Sequence, residues 1–379
     1  MKKDIIITNR SKFAILLLTL SIMMLSNSIL SFSSIHAFGQ TGPVLNHTIL
    51  QRDNNNTSSS FLRTESQELN NIFKNVANSV VYIQVDQGHN YFRSGSGFVY
   101  DSNQGYIITN NHVVNGSISG KADVTFSDGN TYTARIIGTD IYDDIAVLQI
   151  VDDFSAEHPV PLVLANSSKL EVGQMVIAIG NPGIGGFLTF SNTMTMGIVS
   201  QLGRIFPSSI GGFAETDLIQ TDTTINRGNS GGPLLDADGH VVGITTLHAI
   251  NSTGLNFAIP SNLVLRIVPA LIQSGHYDHP WLGFSGDTLN PIIAENLLGL
   301  PRNSKGVVLF SVDAGGPLDK AGLKRADLIT ATDGIPDRTI GDFLTYLEEH
   351  KSVGDNIKLT VNRNGQVMDL NATVQTRPS

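Results

Sequence analysis

Apolar and polar positions along this chain change their period three times. From Glu65 to Ala77, Leu69, Ile72, Phe73 and Val76 recur at helical spacing and predict a short amphipathic helix. Six short apolar runs follow, each bounded by Gly, Asn or Asp: Val80–Val85, Gly97–Tyr100, Tyr106–Thr109, Ala122–Phe126, Tyr132–Gly138 and Ala146–Ile150. Pro159-Val160-Pro161 breaks the pattern. Six more runs come after it: Met175–Ile179, Met194–Ser200, Leu218–Gln220, Pro233–Leu235, Val241–Thr246 and Asn256–Ile259. Short runs closed by turn residues read as strands, and two such sets predict a mostly β fold of two barrels or sandwiches. Ser261–Ser274 returns to the helical period, with Pro269 expected to kink or shorten that helix. From Trp281 onward, strands mix with two helical patterns, Pro291–Leu298 and Ile340–His350, which predicts a separate small α+β domain.

Composition narrows the chemistry. The 379 residues include 37 glycines and no cysteine, and the net charge is −9. An acidic chain without basic runs beyond its N-terminus excludes nonspecific nucleic-acid binding, which needs clustered Lys and Arg. The absence of Cys excludes a disulfide scaffold, a thiol nucleophile and Cys-based zinc or iron–sulfur sites. No cofactor and no metal site is read from the sequence.

The N-terminus carries Lys2, Lys3, Arg10 and Lys12 before an apolar run from Phe13 to Leu30, with Ala37 as a small residue before Phe38. This is the pattern of a secretory signal. The run is also nearly long enough, at about 27 Å as a helix, to remain as a membrane anchor. Both readings place the chain beyond Phe38 outside the cytoplasm, because the positive flank stays inside. The protein is therefore expected to be secreted or held on the outer face of the cytoplasmic membrane. Residues 38–64 are rich in Asn, Ser and Thr and are expected to be a disordered spacer. Asn-X-Ser/Thr triplets from Asn46 to Asn371 read equally as glycosylation acceptors or as products of an Asn-rich composition.

Three segments concentrate chemistry: Tyr106–Val114 around His112, Tyr142–Leu148 around Asp144, and Asn226–Pro233 around Ser230. Their order, His then Asp then Ser, is that of chymotrypsin-type barrels. A serine hydroxyl needs a positioned base, and His112 sits just past a strand where a loop can aim its ring. Asp144 opens an apolar strand and can hold the imidazole in one tautomer. Asp143 competes for that role. Asp144 is preferred because strand alternation gives it the apolar Ala146 and Leu148 as companions. Ser230 lies in a Gly-rich turn, so the amides of Gly228, Asn229 and Ser230 are the expected oxyanion hole.

These residues resemble the HtrA/Deg family of serine proteases over roughly residues 65–376. Gln220-Thr221-Asp222 followed by Ile225–Gly232, Gly197–Ser200 and Asn256–Pro260 look like that family's segments. The resemblance implies a chymotrypsin-like double β-barrel over 65–262, a linker helix over 263–279 and a PDZ domain over 280–376. It also implies a homotrimer or larger assembly and ATP-independent removal of unfolded or misfolded proteins. Asn229 stands where secreted digestive relatives carry Asp. That substitution argues against activation by a newly cut N-terminus and for remodelling of the loops Ile184–Asn192, Gly203–Asp217 and Ala249–Thr253. Arg204 matches in position a regulatory arginine of a relative.

By the same resemblance, Thr224 lies at the base of the specificity pocket, with Ile225 and a wall of Ile244, Thr245 and Thr246. Without an acidic residue there, cleavage is expected after small or medium aliphatic residues. Leu282-Gly283-Phe284 looks like the carboxylate-binding loop of a PDZ domain, which captures C-terminal peptides through backbone amides and a strand edge. Ala326 departs from the Gly usual at its position, so the turn there is expected to differ. Two other functions stay open at this stage: a holdase-like binding protein with minor proteolysis, and a membrane-tethered signalling protease.

Overall fold

The computed structural model describes residues 57–154, 159–184, 188–189, 192–207, 214–246 and 254–378. The apolar run Phe13–Leu30 and most of the expected spacer lie outside the described residues. Among the described residues, no helix is long and apolar enough to cross a membrane. The first helix, α1, spans Thr57–Val76, eight residues longer at its start than the periodicity predicts, so residues 57–64 are helical and not spacer.

Six strands follow: β1 (Val80–Asp86), β2 (Phe92–Asp101), β3 (Tyr106–Asn110), β4 (Lys121–Thr125), β5 (Thr131–Asp140) and β6 (Ile145–Ile150). They close into a barrel in the order β1-β2-β3-β6-β5-β4. A one-turn helix, α2 (Asn111–Val114), follows β3. The second set is β7 (Met175–Gly180), the short pair β8 (Gly183–Ile184) and β9 (Leu188–Thr189), β10 (Thr193–Pro207), β11 (Ala214–Thr221), β12 (Pro233–Leu235), β13 (Val241–Thr246) and β14 (Asn256–Pro260). Without β8 and β9, these close as β10-β11-β14-β13-β12-β7.

The two barrels explain why the strand runs are apolar on both faces. In β7, Val176 and Ala178 fill the second barrel, while Ile177 and Ile179 join a core shared between the barrels. In β1, Val81, Ile83 and Val85 fill the first barrel while Val80 faces the shared core. Successive side chains point to opposite faces, so a strand with cores on both sides is continuously hydrophobic.

Helix α3 (Ser261–Ser274) packs onto the same shared core with Leu263, Val264, Ile267, Val268 and Leu271. Each such side chain contributes about 1.5–3 kcal/mol on burial. The helix runs through Pro269 without shortening. The carbonyl that Pro269 leaves without an amide partner belongs to Leu265, an exposed residue, where water can replace the lost bond.

The C-terminal domain has β16 (Phe284–Thr288), β17 (Val307–Val312), β18 (Leu328–Thr332), β20 (Asn356–Arg363) and β21 (Gln366–Thr373) in one sheet, with β19 (Ile335–Pro336) on β18. A second pairing joins β15 (Pro280–Trp281) to β22 (Gln375–Thr376). Helices α4 (Pro291–Asn296), α5 (Pro317–Lys320) and α6 (Ile340–His350) complete it. A capping box fixes the start of α6: Asp342 N donates to Thr339 Oγ1 at 3.1 Å and Thr339 N to Asp342 Oδ2 at 3.0 Å. Its C-terminal carbonyls are held from the linker helix, since Arg266 Nη1 donates to Glu349 O at 2.7 Å and Nη2 to Lys351 O. A cation there also opposes the negative end of the helix dipole.

Two further expectations change. Of the expected loop Gly203–Asp217, residues up to Pro207 continue β10 and those from Ala214 belong to β11, so the two ends form a paired hairpin. Ala249–Thr253 and most of Ile184–Asn192 lie outside the described residues. Ala326 adopts φ +70°, so the turn keeps the left-handed backbone a Gly would supply.

Candidate active site

His112 stands on the one-turn helix that ends β3 and is anchored twice to Asp144, once through its ring and once through its backbone amide. His112 Nδ1 lies 2.6 Å from Asp144 Oδ2, and the His112 amide donates to Asp144 Oδ1 at 2.8 Å. The Asp144 carbonyl accepts from Asn111 N at 3.0 Å and from Asn110 Nδ2 at 2.9 Å. These four bonds fix Asp144 at φ +54°, just before β6. Burial lowers the proton affinity of His112, but the Asp144 hydrogen bond and charge outweigh it and the pKa is raised above 6.5.

The strained turn separates Asp143 from Asp144. Asp144 faces His112, whereas Asp143 Oδ2 lies 3.7 Å from His279 Nδ1. Each of the two neighbouring carboxylates thus stands beside a different histidine.

Ser230 is buried in the turn after Arg227. Its carbonyl accepts from Ser96 N at 2.8 Å, and Ser96 Oγ donates to Gly228 O at 2.6 Å while accepting from Asn181 N at 2.8 Å. Ser96 is in the first barrel and Asn181 follows β7 in the second, so one hydroxyl ties the Ser230 turn to both. Gly231 has φ +88°, and a Cβ there would lie 2.2 Å from Ser96 O, so no other residue fits. A Cβ on Gly95 would meet Val113 Cγ2 at 2.5 Å and Ser230 O at 2.9 Å, which brings the Ser230 turn against the helix of His112. No hydrogen bond joins Ser230 Oγ to His112 in this structure. Such bonds are often long before substrate binds.

Among the described residues, the amides of Gly228 and Ser230 have no acceptor, while Asn229 N donates to Asn226 O at 3.0 Å. The first two amides are therefore available for a ligand oxygen, and that of Asn229 is engaged. The Asn229 side chain is buried against Gly180, and neither of its polar atoms has a hydrogen-bond partner among the described residues. Such a group costs about 1–3 kcal/mol.

The expected specificity wall has other contacts. Ile244 packs in the core between the barrels and not on an open pocket. Thr245 Oγ1 donates to Asn229 O at 2.7 Å, bracing the Ser230 turn from behind. Thr246 Oγ1 donates to Asp144 Oδ2 at 3.2 Å. Ile225 is buried, and Thr224 is exposed with its carbonyl accepting from Thr195 Oγ1 at 2.8 Å. Arg204 Nε donates to Gln220 Oε1 at 2.8 Å within the hairpin. The bracing roles of Ser96, Thr245 and Thr246 are invisible in the sequence, because nothing local marks a hydroxyl that acts across the fold.

In the C-terminal domain, Leu282 is in the core and Phe284 meets Phe343 of α6 edge-on at 5.5 Å. Gly283, at φ +76°, turns the chain between them. Among the described residues, strand β16 pairs only with β17 and leaves its other edge without a strand.

Comparison with known proteins assigns both domains. Residues 95–244 match the trypsin-like peptidase domain and residues 282–374 match the PDZ domain. The chain is also similar to solved "HtrA-type protease AlgW with tripeptide", at 33% identity and a TM-score of 0.67, covering 82% of this chain and 97% of that one. The chain belongs to the HtrA family of serine proteases. Among HtrA relatives, it is 41% identical over 290 residues to "Serine protease Do-like HtrB" of Bacillus subtilis (strain 168), covering 74% of this chain and 61% of the relative. It is 36% identical to "Periplasmic pH-dependent serine endoprotease DegQ" of Escherichia coli (strain K12), covering 75% of this chain and 60% of the relative. The chain thus spans about three fifths of the length of these HtrA relatives.

Proposed function

We propose that this chain is an exported serine endopeptidase that degrades unfolded or misfolded proteins and binds peptide ends at its PDZ domain. The observation that carries the reading is the double anchor of His112 on Asp144, at 2.6 and 2.8 Å. With Nδ1 so held, His112 presents Nε2 as a base. Ser230 Oγ attacks the substrate carbonyl and gives its proton to His112 Nε2, which Asp144 stabilises as the imidazolium. The oxygen of the tetrahedral adduct takes its charge to the free amides of Gly228 and Ser230. His112 then passes the proton to the leaving amine, and water repeats the sequence to release the acyl group from Ser230.

Thr224, exposed and uncharged, supports cleavage after small or medium aliphatic residues. The unpaired edge of β16 beside Gly283 suits an extended peptide with a terminal carboxylate. Export is supported by the positive and apolar N-terminal pattern and by a periplasmic relative. A homotrimer follows from family analogy.

The test is labelling by a fluorophosphonate together with casein hydrolysis, with and without a hydrophobic C-terminal peptide. Wild type is expected to label and to cleave, and Ser230→Ala to do neither while melting at the same temperature. Equal labelling of Ser230→Ala, or no labelling of wild type even with peptide, would overturn the reading. Suppression of aggregation by Ser230→Ala would show a holdase function standing apart from proteolysis.

A further inference from the structure

The base of the site stands on a helix of only four residues. Asn115 N donates to Asn111 O at 2.8 Å and closes the turn of α2. The carbonyl of His112 is left outside that bond, as carbonyls at helix ends are. It accepts instead from Arg93 Nη1 of β2, at 2.6 Å. The same nitrogen reaches Asn115 O at 3.4 Å, and Gln87 Nε2 donates to that oxygen at 2.6 Å. Arg93 stands opposite Val85 in the pairing of β2 with β1, so its backbone is fixed by the barrel. The turn is thus held on both sides. Asp144 accepts from its amides, Asn111 N at 3.0 Å and His112 N at 2.8 Å, and Arg93 donates to its carbonyls. Val113 is fully buried in the core of the first barrel. Arg93 is half-buried, and among the described residues it forms no ion pair. Its guanidinium meets only carbonyl oxygens, so its charge goes uncancelled beside the residue that must accept a proton.

We propose that Arg93 is a positioning residue for the reaction, holding the carbonyl side of the His112 turn and setting a fixed positive charge against the imidazole. The inference rests on the reading of His112 as the base. A nearby cation disfavours the protonated form of an imidazole, and a nearby anion favours it. Asp144, before β6, and Glu215 of β11 favour the imidazolium of His112, and Arg93 opposes it. The three together set a balance. Asp144 orients the ring but also strengthens its hold on a proton, which leaves less neutral base near neutral pH. Arg93 offsets part of that pull. Its hydrogen bond acts separately, by fixing where the turn presents the ring. A misplacement of about 1 Å at a reacting group can cost about 100-fold in rate.

The full chain is compared with Arg93→Gln, which removes the charge, and Arg93→Lys, which keeps it. One readout is the pH profile of kcat/KM for a peptide. The other is the NMR titration of the His112 ring, whose signal is assigned by its loss in His112→Gln. In Arg93→Gln both midpoints are expected to rise by about 0.5 pH unit, about threefold in rate on the acid limb. The limiting kcat is expected to fall about 10-fold. Arg93→Lys is expected to return both midpoints to the wild-type value. An arginine that merely supports the fold would lower the Tm and the rate at every pH alike, with the midpoints unmoved. Unmoved midpoints in Arg93→Gln, or midpoints that Arg93→Lys fails to restore, would therefore overturn the inference. Arg93→Met, which keeps the apolar stem, repeats the uncharged test if the Gln variant does not fold. The titration reads the same shift whether or not the chain is a peptidase. A failure of the peptidase reading, seen as no hydrolysis by wild type, is thus distinct from a failure of Arg93.

Discussion

Two histidines in this chain meet carboxylates, and they are held in opposite ways. His112 meets one carboxylate, Asp144, through Nδ1 and keeps 39% of its side chain exposed. His279 is enclosed by three carboxylates, Asp140, Asp143 and Glu348, with 1% exposed. One carboxylate orients an imidazole and leaves its other nitrogen open to a substrate. Three carboxylates immobilise it. Burial alone would lower the pKa of His279, but its contacts with Asp140 and Glu348 and the charges around it push it up to about 10. Adjacent residues in one turn, Asp143 and Asp144, thus meet two histidines in opposite settings, one enclosed and one open.

The contrast between the two histidines breaks most visibly at Asp144. Asp144→Asn keeps the shape but loses the charge that orients His112, and kcat is expected to fall by about 10⁴-fold in peptide hydrolysis. The base must be neutral to accept the Ser230 proton, and the His112 pKa is raised above 6.5. Wild-type kcat/KM should therefore rise with pH through a midpoint above 6.5, and that midpoint should move down in the variant. A variant of near-normal rate would end the assignment of Asp144 over Asp143.

The cluster around His279, where Arg377 Nη2 donates to Glu348 Oε1 at 2.6 Å, should respond through stability. Glu348→Gln removes one anion from a buried group while Arg377 remains beside it. Breaking a buried pair from one side costs about 3–5 kcal/mol. Urea unfolding is the measurement, and a loss under about 1 kcal/mol would mean the cluster contributes little.

Another carboxylate tunes the same docking face. Burial, with the charge of Glu349 adding to it, pushes Asp217 on β11 up to about 7. Its carboxyl accepts from Thr345 of α6 at 3.3 Å. In the unfolded chain Asp217 loses its proton near pH 4, and in the folded chain only near 7. Between those values the folded form binds more protons, so stability is full below about pH 4 and falls as pH rises towards 7. At about 1.4 kcal/mol per pH unit the ceiling is about 4 kcal/mol, and partial solvation reduces it to about 2. Chemical denaturation from pH 4 to 8 should show this decline in wild type and a flatter profile in Asp217→Asn.

Much of this is legible in the sequence, because its carriers are local. The twelve apolar runs correspond to barrel strands, and Pro233–Leu235 and Val241–Thr246 match to the residue. His112, Asp144 and Ser230 stand out because strand ends and a Gly-rich turn mark them. The cluster around His279 does not stand out. Asp140, His279, Glu348 and Arg377 are far apart in the chain, none sits in a motif, and their meeting depends on how the domains pack. The Gly203–Asp217 hairpin escapes sequence reasoning for a related reason: its Gly and Ser content reads as a loop, while strand pairing across it is decided by the partner strand.

Ala326 offers the smallest effect and a clean one. At φ +70° its Cβ crowds the neighbouring carbonyl, which costs an L-residue about 1–2 kcal/mol. The turn tolerates this because its amide donates to Leu309 O at 2.8 Å and the next, Asp327 N, to Lys324 O at 3.2 Å. Asp327 then takes two bonds from Arg363, Nε and Nη2, each at 2.7 Å. Ala326→Gly relieves the crowding but adds freedom to the unfolded chain, which offsets part of the gain. A net stabilisation of about 0.5–1 kcal/mol is expected from urea unfolding of the full chain, with peptidase activity unchanged. If Ala326→Gly destabilises instead, the left-handed turn is not what holds this corner, and the ion pair of Asp327 with Arg363 carries it.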